Sequence, residues 1–443
     1  MTLSAKTLFR GISWTVAAYA GGQIFRFAGN VVLARLLAPE IFGLIAIVHS
    51  VRNGIELISD VGIGQNIIYH QGASVPEFYN TAWSLQIIRG LVLWPLTFLV
   101  AGPIAHFYNA PELTYVLPVA SLPFIFIGVS SMGRYFAQKR IQFIRLSLFE
   151  LALELISSTV NVIAALISPT IWALVSGLLA SSIARMVGSY FLVPGLHHRF
   201  RLSREYIWQI LGFSKWIFLS SIIFFVSSNF DSLYLGKAGT LALLGVYGIA
   251  RTLSQQVVAL VGRLNTTFVF PYVASANDIP RHKLRERIAP IRAYFFLATA
   301  CGLSLIAVSG DMIVDVLYDH RYQSAGWMLP ILIIGAWFSI LSGTNESILL
   351  GFGRPSYAAF GSSLKLAWLL VGLPAAYKLH GPVGAVFIIG VSDVWRYLPG
   401  LLGLRRHRFS FITQDIFLTI ALFGFVVLWE SIRWATGFGI STV

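Results

Sequence analysis

Long apolar stretches and short polar connections follow one another along the whole chain. Runs of about twenty mostly apolar residues recur from end to end, and a helix of that length crosses a hydrocarbon core about 30 Å thick. Thirteen such segments are predicted, at residues 12–35, 41–61, 81–104, 113–133, 146–167, 170–194, 207–235, 241–264, 291–317, 327–350, 356–378, 383–404 and 413–434. Strand-like alternation of polar and apolar positions is absent. Helices rather than a barrel must therefore satisfy the backbone inside the membrane. The pattern predicts an all-α, polytopic integral membrane protein.

The basic residues give the pattern an orientation. With the N-terminus on the inner side, alternate connections hold Lys6, Arg10, Arg134, Lys139, Arg140, Arg145, Arg199, Arg201, Arg204, Lys215, Arg281, Lys283, Arg285, Arg287, Arg292, Arg354, Arg405, Arg406 and Arg408. The opposite connections hold only Lys237, Arg321 and Lys378, with Arg35 and Arg433 near helix ends. That asymmetry is the positive-inside signature, and one missed span would scramble it. The net charge of +14 on 443 residues thus reads as topology and not as nucleic-acid binding. The outer connections, such as HFYNAPE, SPT, KAGT and KLHGP, are too short for a folded domain. The inner linkers near 195–206 and 275–290 are basic and suited to anionic lipid headgroups. Lys6 and Arg10 before the first apolar segment read as a retained signal anchor.

An internal repeat emerges at an offset of about 200 residues, growing to about 212. SWTVAAY lines up with KWIFLSS, LARLLAPEIFGL with YLGKAGTLALLGV, and LPVASLPFIFIGVSSM with LPILIIGAWFSILSG. The offset spans six helices, an even number, so both copies share one orientation. Two parallel lobes of six helices related by a pseudo-two-fold axis follow, with approximate bounds 1–200 and 201–408, and an additional C-terminal helix in 409–443.

Candidate chemistry lies in the charges that fall inside spans. Each costs about 2.5–3.5 kcal/mol at a helix centre, so such residues face a bundle interior or a wet cavity. Arg52, Glu56 and Asp60 form one stripe at i, i+4, i+8. Asp393 with Arg396, and Glu430 with Arg433, are further pairs one turn apart. Arg26, Arg89, Arg185, Arg251 and Lys365 have no acid one turn away in their own helix. Arg26, Arg52, Arg89, Arg185, Arg251, Lys365 and Arg396 are the expected lining of a cationic cavity, which would hold a phosphate or diphosphate through bidentate arginine contacts. Glu56, Asp60, Glu346 and Asp393 are the expected coupling or gating acids. Snorkelling to the interface and pairing across helices are the structural alternatives for each. No nucleophile elbow, phosphate-binding glycine loop or metal-ligand cluster is present in the sequence, and Cys301 is the single cysteine.

ARLLAPEIFGL, followed by SDVGIGQNIIY, resembles the opening signature of the polysaccharide transporter family, within the multidrug/oligosaccharidyl-lipid/polysaccharide exporter superfamily. Arg35, Leu37, Pro39, Phe42, Gly43, Asp60 and Gly62 match it, while Ala38 replaces the usual glycine. The resemblance implies a flippase that moves an undecaprenyl-diphosphate-linked oligosaccharide across the bacterial cytoplasmic (inner) membrane by alternating access, for O-antigen, capsule or exopolysaccharide synthesis. IARTL resembles the A-x-R-L segment of lipid II flippases and carries a cavity role onto Arg251; Arg26 is a looser analogy. The implied partners are the lipid-linked glycan, membrane lipids and polysaccharide polymerase or export machinery, with no nucleic acid. No enzymatic activity, cofactor or metal is expected; a proton or Na+ is the candidate coupling ion. The competing expectation is a drug/cation antiporter on the same fold, which would favour acids over arginines in its cavity. A membrane-embedded glycosyltransferase would more often carry a large external loop.

Overall fold

The computed structural model describes residues 5–59, 63–64, 67, 75–140, 142–212, 214–265, 269–275 and 279–437. All regular structure among them is helical. The chain forms two compact units, residues 1–222 and 223–443.

The first unit contains α1 (Ala5–Leu36), α2 (Pro39–Ile58), α3 (Pro76–Tyr108), α4 (Leu113–Ala120), α5 (Pro123–Val129), α6 (Gly133–Lys139), α7 (Phe143–Ile167), α8 (Ile171–Leu192) and α9 (Arg204–Gly212). α10 (Ser214–Ala238) carries the chain across the division. The second unit continues with α11 (Leu241–Leu264), α12 (Phe270–Ser275), α13 (Arg281–Val308), α14 (Gly310–Leu317), α15 (Ala325–Gly351), α16 (Ser356–Arg406) and α17 (Ile412–Ala435).

Each predicted span coincides with a helix or a broken helix. Among the described residues seven helices are long and apolar enough to cross a membrane by themselves, and α4 and α5 with α6, bent by 61°, make an eighth if counted as one span. α16 carries two predicted spans joined at Gly381, whose φ of 60° and ψ of −146° interrupt the helix. Only a residue without Cβ takes that conformation cheaply. The side chains are arranged for lipid outside and polarity inside: Leu99, Ile167, Val371 and Leu379 are 74–80% exposed, while Ser84, Thr97, Ser121 and Asn345 are fully buried.

The corner between α1 and α2 has the features its sequence demands. Ala38 is extended, with φ −74° and ψ 150°, and Pro39 opens α2, where its missing N–H costs nothing. The fourth predicted span is broken between Val129 and Gly133, and neighbouring helices satisfy the freed backbone. Gln86 Nε2 on α3 donates to the carbonyls of Ile127 (2.6 Å), Gly128 (3.2 Å) and Ser130 (3.3 Å). The Val129 carbonyl accepts from Trp83 Nε1 and from the Tyr190 hydroxyl on α8, at 3.2 and 2.6 Å. The Ser131 N–H donates to Ser189 Oγ, and the Met132 N–H to His198 Nε2. Non-helical backbone at span depth is tolerated only with such partners.

The polar end of α3 also holds the linker after α8. Backbone N–H groups of Arg199, Arg201 and Ser203 donate to Asn80 Oδ1, Ser84 Oγ and Thr81 Oγ1 at 2.9, 2.9 and 3.2 Å. Arg201 pairs with Glu77 at 3.0 Å. His198 packs against the rings of Trp83, Tyr79 and Tyr190. Burial and the neighbouring His197 push its pKa down to about 4, in keeping with a neutral ring that accepts from Met132.

In the second unit α17 is an integral element. Near one end, Arg292 of α13 reaches Asp415 at 2.6 Å, with side chains 2% and 4% exposed. Its guanidinium lies between the rings of Phe296 and Phe411, 4.5 and 4.7 Å from their centroids. The Tyr397 hydroxyl donates to the other Asp415 oxygen at 2.6 Å. Near the other end Arg433 donates to both oxygens of Asp311 at 2.7 and 2.6 Å, and to the Val308 carbonyl. Two expectations change here. Arg292, counted from sequence among the linker cations, lies in the most deeply buried ion pair among the described residues. Arg433 takes its bidentate acid from α14, not from Glu430 one turn away, because the fork needs a carboxylate facing it end-on.

Candidate functional site

In the second unit, α10, α11, α15 and α16 enclose a cavity of about 290 Å³. Four of the residues singled out from sequence line it, Arg251, Lys365, Arg396 and Asp393, and Glu346 joins them through its pair with Arg396. The sequence reading missed two more, Asp231 and Tyr247. Tyr247 donates its hydroxyl proton to Asp231 Oδ2. Arg251 Nη1 donates to Ser232 Oγ at 2.6 Å and stands 3.4 Å from Asp231 Oδ2, while Nη2 donates to the Ser228 carbonyl at 2.6 Å. Lys365 Nζ donates to Asp393 Oδ2 at 2.8 Å. Arg396 grips Glu346 through Nε (2.9 Å) and Nη2 (2.6 Å), and its Nη1 lies 4.0 Å from Asp393 Oδ1.

Three cations thus face three carboxylates, and the network is neutral as a whole but not uniform in depth. The side chains of Arg251, Lys365 and Arg396 are 30%, 19% and 26% exposed, against 9%, 8% and 13% for Asp231, Asp393 and Glu346. The acids lie behind and the bases in front, so the accessible wall is cationic. A signal for the Asp231–Tyr247 contact does exist in the sequence. Both residues lie eight positions from Gly239, and residues equidistant from a tight turn between antiparallel helices face each other.

In the first unit the charges gather on α7 and its neighbours. Glu150 accepts from both Arg185 nitrogens, at 3.1 and 2.9 Å, and also pairs with Arg134 at 3.0 Å. Arg26 stands 3.6 Å from Glu154 and donates to Gln23 Oε1. Close approach of α1 to α7 sets this up, since a Cβ on Gly29 would lie 2.1 Å from Ser158 Oγ. The cluster stays partly open, with Arg26 and Arg134 side chains 46% and 45% exposed. Charges this open within helices that cross lipid require water beside them.

Arg89 and Arg52 are placed differently. Arg89 donates through Nη2 to the Glu56 carbonyl (2.6 Å) and through Nε and Nη2 to Ser59 Oγ, holding the end of α2 to α3. Arg52 is buried, with its guanidinium 5.6 Å from the Phe124 ring centroid. Among the described residues the ion pairs within 4 Å do not include one from Arg52 to Glu56, and the Arg52 Nε–H has no acceptor there. The one-turn pair expected from spacing gives way to a cation–π contact. Glu56 and Arg89 border a small pocket beside Gly90. Asp60 lies outside the described residues.

The repeat relates the two clusters with a reversal of sign. An offset of 212 residues carries Glu346 onto Arg134 and places Arg396 one residue from Arg185. The arginine is kept in both units. Its acid comes from α7 in the first unit and from α15 in the second.

Long apolar helices, proline-linked breaks and ion-paired polar clusters at span depth define a multi-pass α-helical membrane transport protein. The family model described as "Polysaccharide biosynthesis protein" matches residues 32–326, and the chain belongs to that family. Similar relatives include the lipopolysaccharide biosynthesis protein WzxC of Escherichia coli, 24% identical over 90% of this chain and 81% of its own. The teichuronic acid biosynthesis protein TuaB of Bacillus subtilis is 22% identical over 78% and 71%. The succinoglycan biosynthesis transport protein ExoT of Rhizobium meliloti is 26% identical over 60% and 55%. Among solved structures, the lipid II flippase MurJ in an inward closed conformation matches 95% of this chain and 93% of its own, with a TM-score of 0.75 and 12% identity. An inward-facing multidrug-resistance MATE transporter of the MOP superfamily matches 90% and 95%, with a TM-score of 0.60 and 13% identity. These likenesses assign the fold.

Proposed function

We propose that the protein is a flippase for an undecaprenyl-diphosphate-linked oligosaccharide, moving it by alternating access for the synthesis of a surface polysaccharide. It acts in the bacterial cytoplasmic membrane with its N-terminus in the cytoplasm, ahead of polymerase or export machinery. The observation that carries this reading is the family match over 32–326, whose named relatives serve lipopolysaccharide, succinoglycan and teichuronic acid biosynthesis. The chemistry agrees with it: a diphosphate is recognised by guanidinium groups, and both units present arginines from span helices. Arg26 and Arg185 do so in the first, with Arg134 beside them on the short α6, and Arg251 and Arg396 in the second. Arg52 and Arg89 position α2 against its neighbours in this scheme.

The test is export in cells. Arg251→Ala and Arg26→Ala, singly and together, lower surface polysaccharide at least tenfold while the protein stays inserted at wild-type level. Unimpaired export by the double variant would overturn the cationic-cavity mechanism. One observation favours the second reading, a cation antiporter: the buried acids Asp231 and Asp393 on a fold shared with MATE transporters. Each of those acids already has a cation within 3.4 Å, which disfavours it. Proton-driven efflux of a cationic dye from vesicles would restore it.

A further inference from the structure

We infer that the second-unit cavity exchanges a carboxylate for a diphosphate, so that seating the diphosphate against Lys365 and Arg396 is accompanied by protonation of Asp393. This rests on the flippase reading above and specifies how its site is coupled.

The argument begins with charge balance. Three cations and two carboxylates line the cavity, with Glu346 behind Arg396 as the third acid of the network, and each cation already spends donors on an acid. A diphosphate entering such a neutral network would bring uncompensated negative charge, which partly buried surroundings penalise. Compensation requires either a co-entering cation or a proton on one of the acids. The geometry selects the acid. Asp393 faces Lys365 from the same kinked helix and Arg396 one turn along. Arg251 and Tyr247 approach from α11, Asp231 lies behind them on α10, and Glu346 is held by Arg396 on α15.

Of the three carboxylates, Glu346 is locked by two charge-assisted bonds to one guanidinium. Asp231 likewise has an Oδ1 without a donor, but its Oδ2 is held by two groups, Tyr247 and Arg251, against one on Asp393. Asp393 has a single strong donor, Lys365 Nζ, and its Oδ1 has no hydrogen-bond donor among the described residues. It is 5% exposed, so a proton on Oδ1 is shielded and neutralises the group. The step balances simply: Asp393 Oδ1 gains a proton that hydronium or a buffer acid in the solvent gives up, leaving water or the buffer base, and the Lys365 ammonium turns from Asp393 Oδ2 to a phosphoryl oxygen. Return of the carboxylate to Lys365 on release sheds the proton. Lys365 is the hinge of this exchange because its flexible ammonium can change partners, whereas the Arg396 fork is committed to Glu346.

The test uses the full-length protein in detergent and titration calorimetry with farnesyl diphosphate in two buffers of different ionisation enthalpy, which counts protons taken up per ligand bound. The wild type takes up about one proton more than Asp393→Asn. That variant binds the probe at least as tightly and loses the fall of affinity with rising pH. On the wild type alone, an infrared difference spectrum gains a protonated-carboxyl band on binding, an outcome independent of whether the variant folds. Inorganic pyrophosphate as a second probe separates a site for the bare diphosphate from one that also requires the lipid chain. Binding with equal proton uptake in both proteins and no carboxyl band overturns the exchange and leaves the flippase reading intact. No binding of either probe, with export nonetheless dependent on Arg251, overturns the assignment of this cavity to the diphosphate.

Discussion

Arg292 and Asp415 show how a single pair of side chains is held in this fold. Both are nearly inaccessible, and the guanidinium has two aromatic faces against it besides its carboxylate. Removing one member strands the other, at a cost of about 3–5 kcal/mol, whereas replacing both with apolar residues is often neutral. Arg292→Ala and Asp415→Asn should therefore each destabilise the second unit strongly, and Arg292→Leu with Asp415→Leu should recover most of the loss, as read by thermal melting in detergent. Nothing in the spacing of residues 292 and 415 marks them as partners, because 123 positions separate them. Arg396 with Glu346 and Arg185 with Glu150 were legible only as charges too costly to be idle. Their pairing came from helices that neither residue names. Asp231 and Tyr247, by contrast, are related by the turn between α10 and α11 and could have been read from it.

At the scale of elements, α3 acts as a template for irregular backbone. One of its faces catches the break in the fourth predicted span, and the next turns hold the linker 199–203. His198 joins the two jobs by accepting from Met132 while seated among rings. The sign of its pH dependence follows from its lowered pKa. The docked ring resists protonation down to about 4, while the released ring protonates near 6.5. The stability that docking supplies is thus whole above pH 6.5 and is lost as pH falls from there through about 4. Amide exchange of residues 199–203, corrected for its intrinsic rate, should accelerate over that window, and His198→Phe should flatten the dependence. Pro118 and Pro123 stand in the fourth predicted span, and Pro330 stands equally in the tenth. Yet α15 runs unbroken from Ala325 to Gly351. A proline permits a break; the partners that can satisfy the freed backbone decide whether one forms.

At the scale of the whole molecule, the thirteen segments read from sequence, with basic residues concentrated on alternate connections, predict termini on opposite sides. An alkaline phosphatase fused after residue 437 should be active outside the cytoplasm, and the same enzyme fused after the linker near residue 203 should be inactive. Activity reversed between these fusions would overturn the orientation. The second unit includes α17, tied by Asp311–Arg433 and Arg292–Asp415 at its two ends, so truncation before residue 412 should abolish stable insertion and not merely trim an appendage.

Hydropathy determined the class, and the distribution of Lys and Arg and the internal offset predict the orientation and a duplicated plan. Each of these is a one-dimensional quantity set by the thickness of the bilayer and the cost of moving charge across it. Tertiary structure alone decided which acid answers which arginine, because that depends on helix rotation and close approach at residues such as Gly29. It also decided that in the second-unit cavity the acids stand behind the bases. That depth ordering, which no spacing encodes, gives a neutral cluster a cationic face.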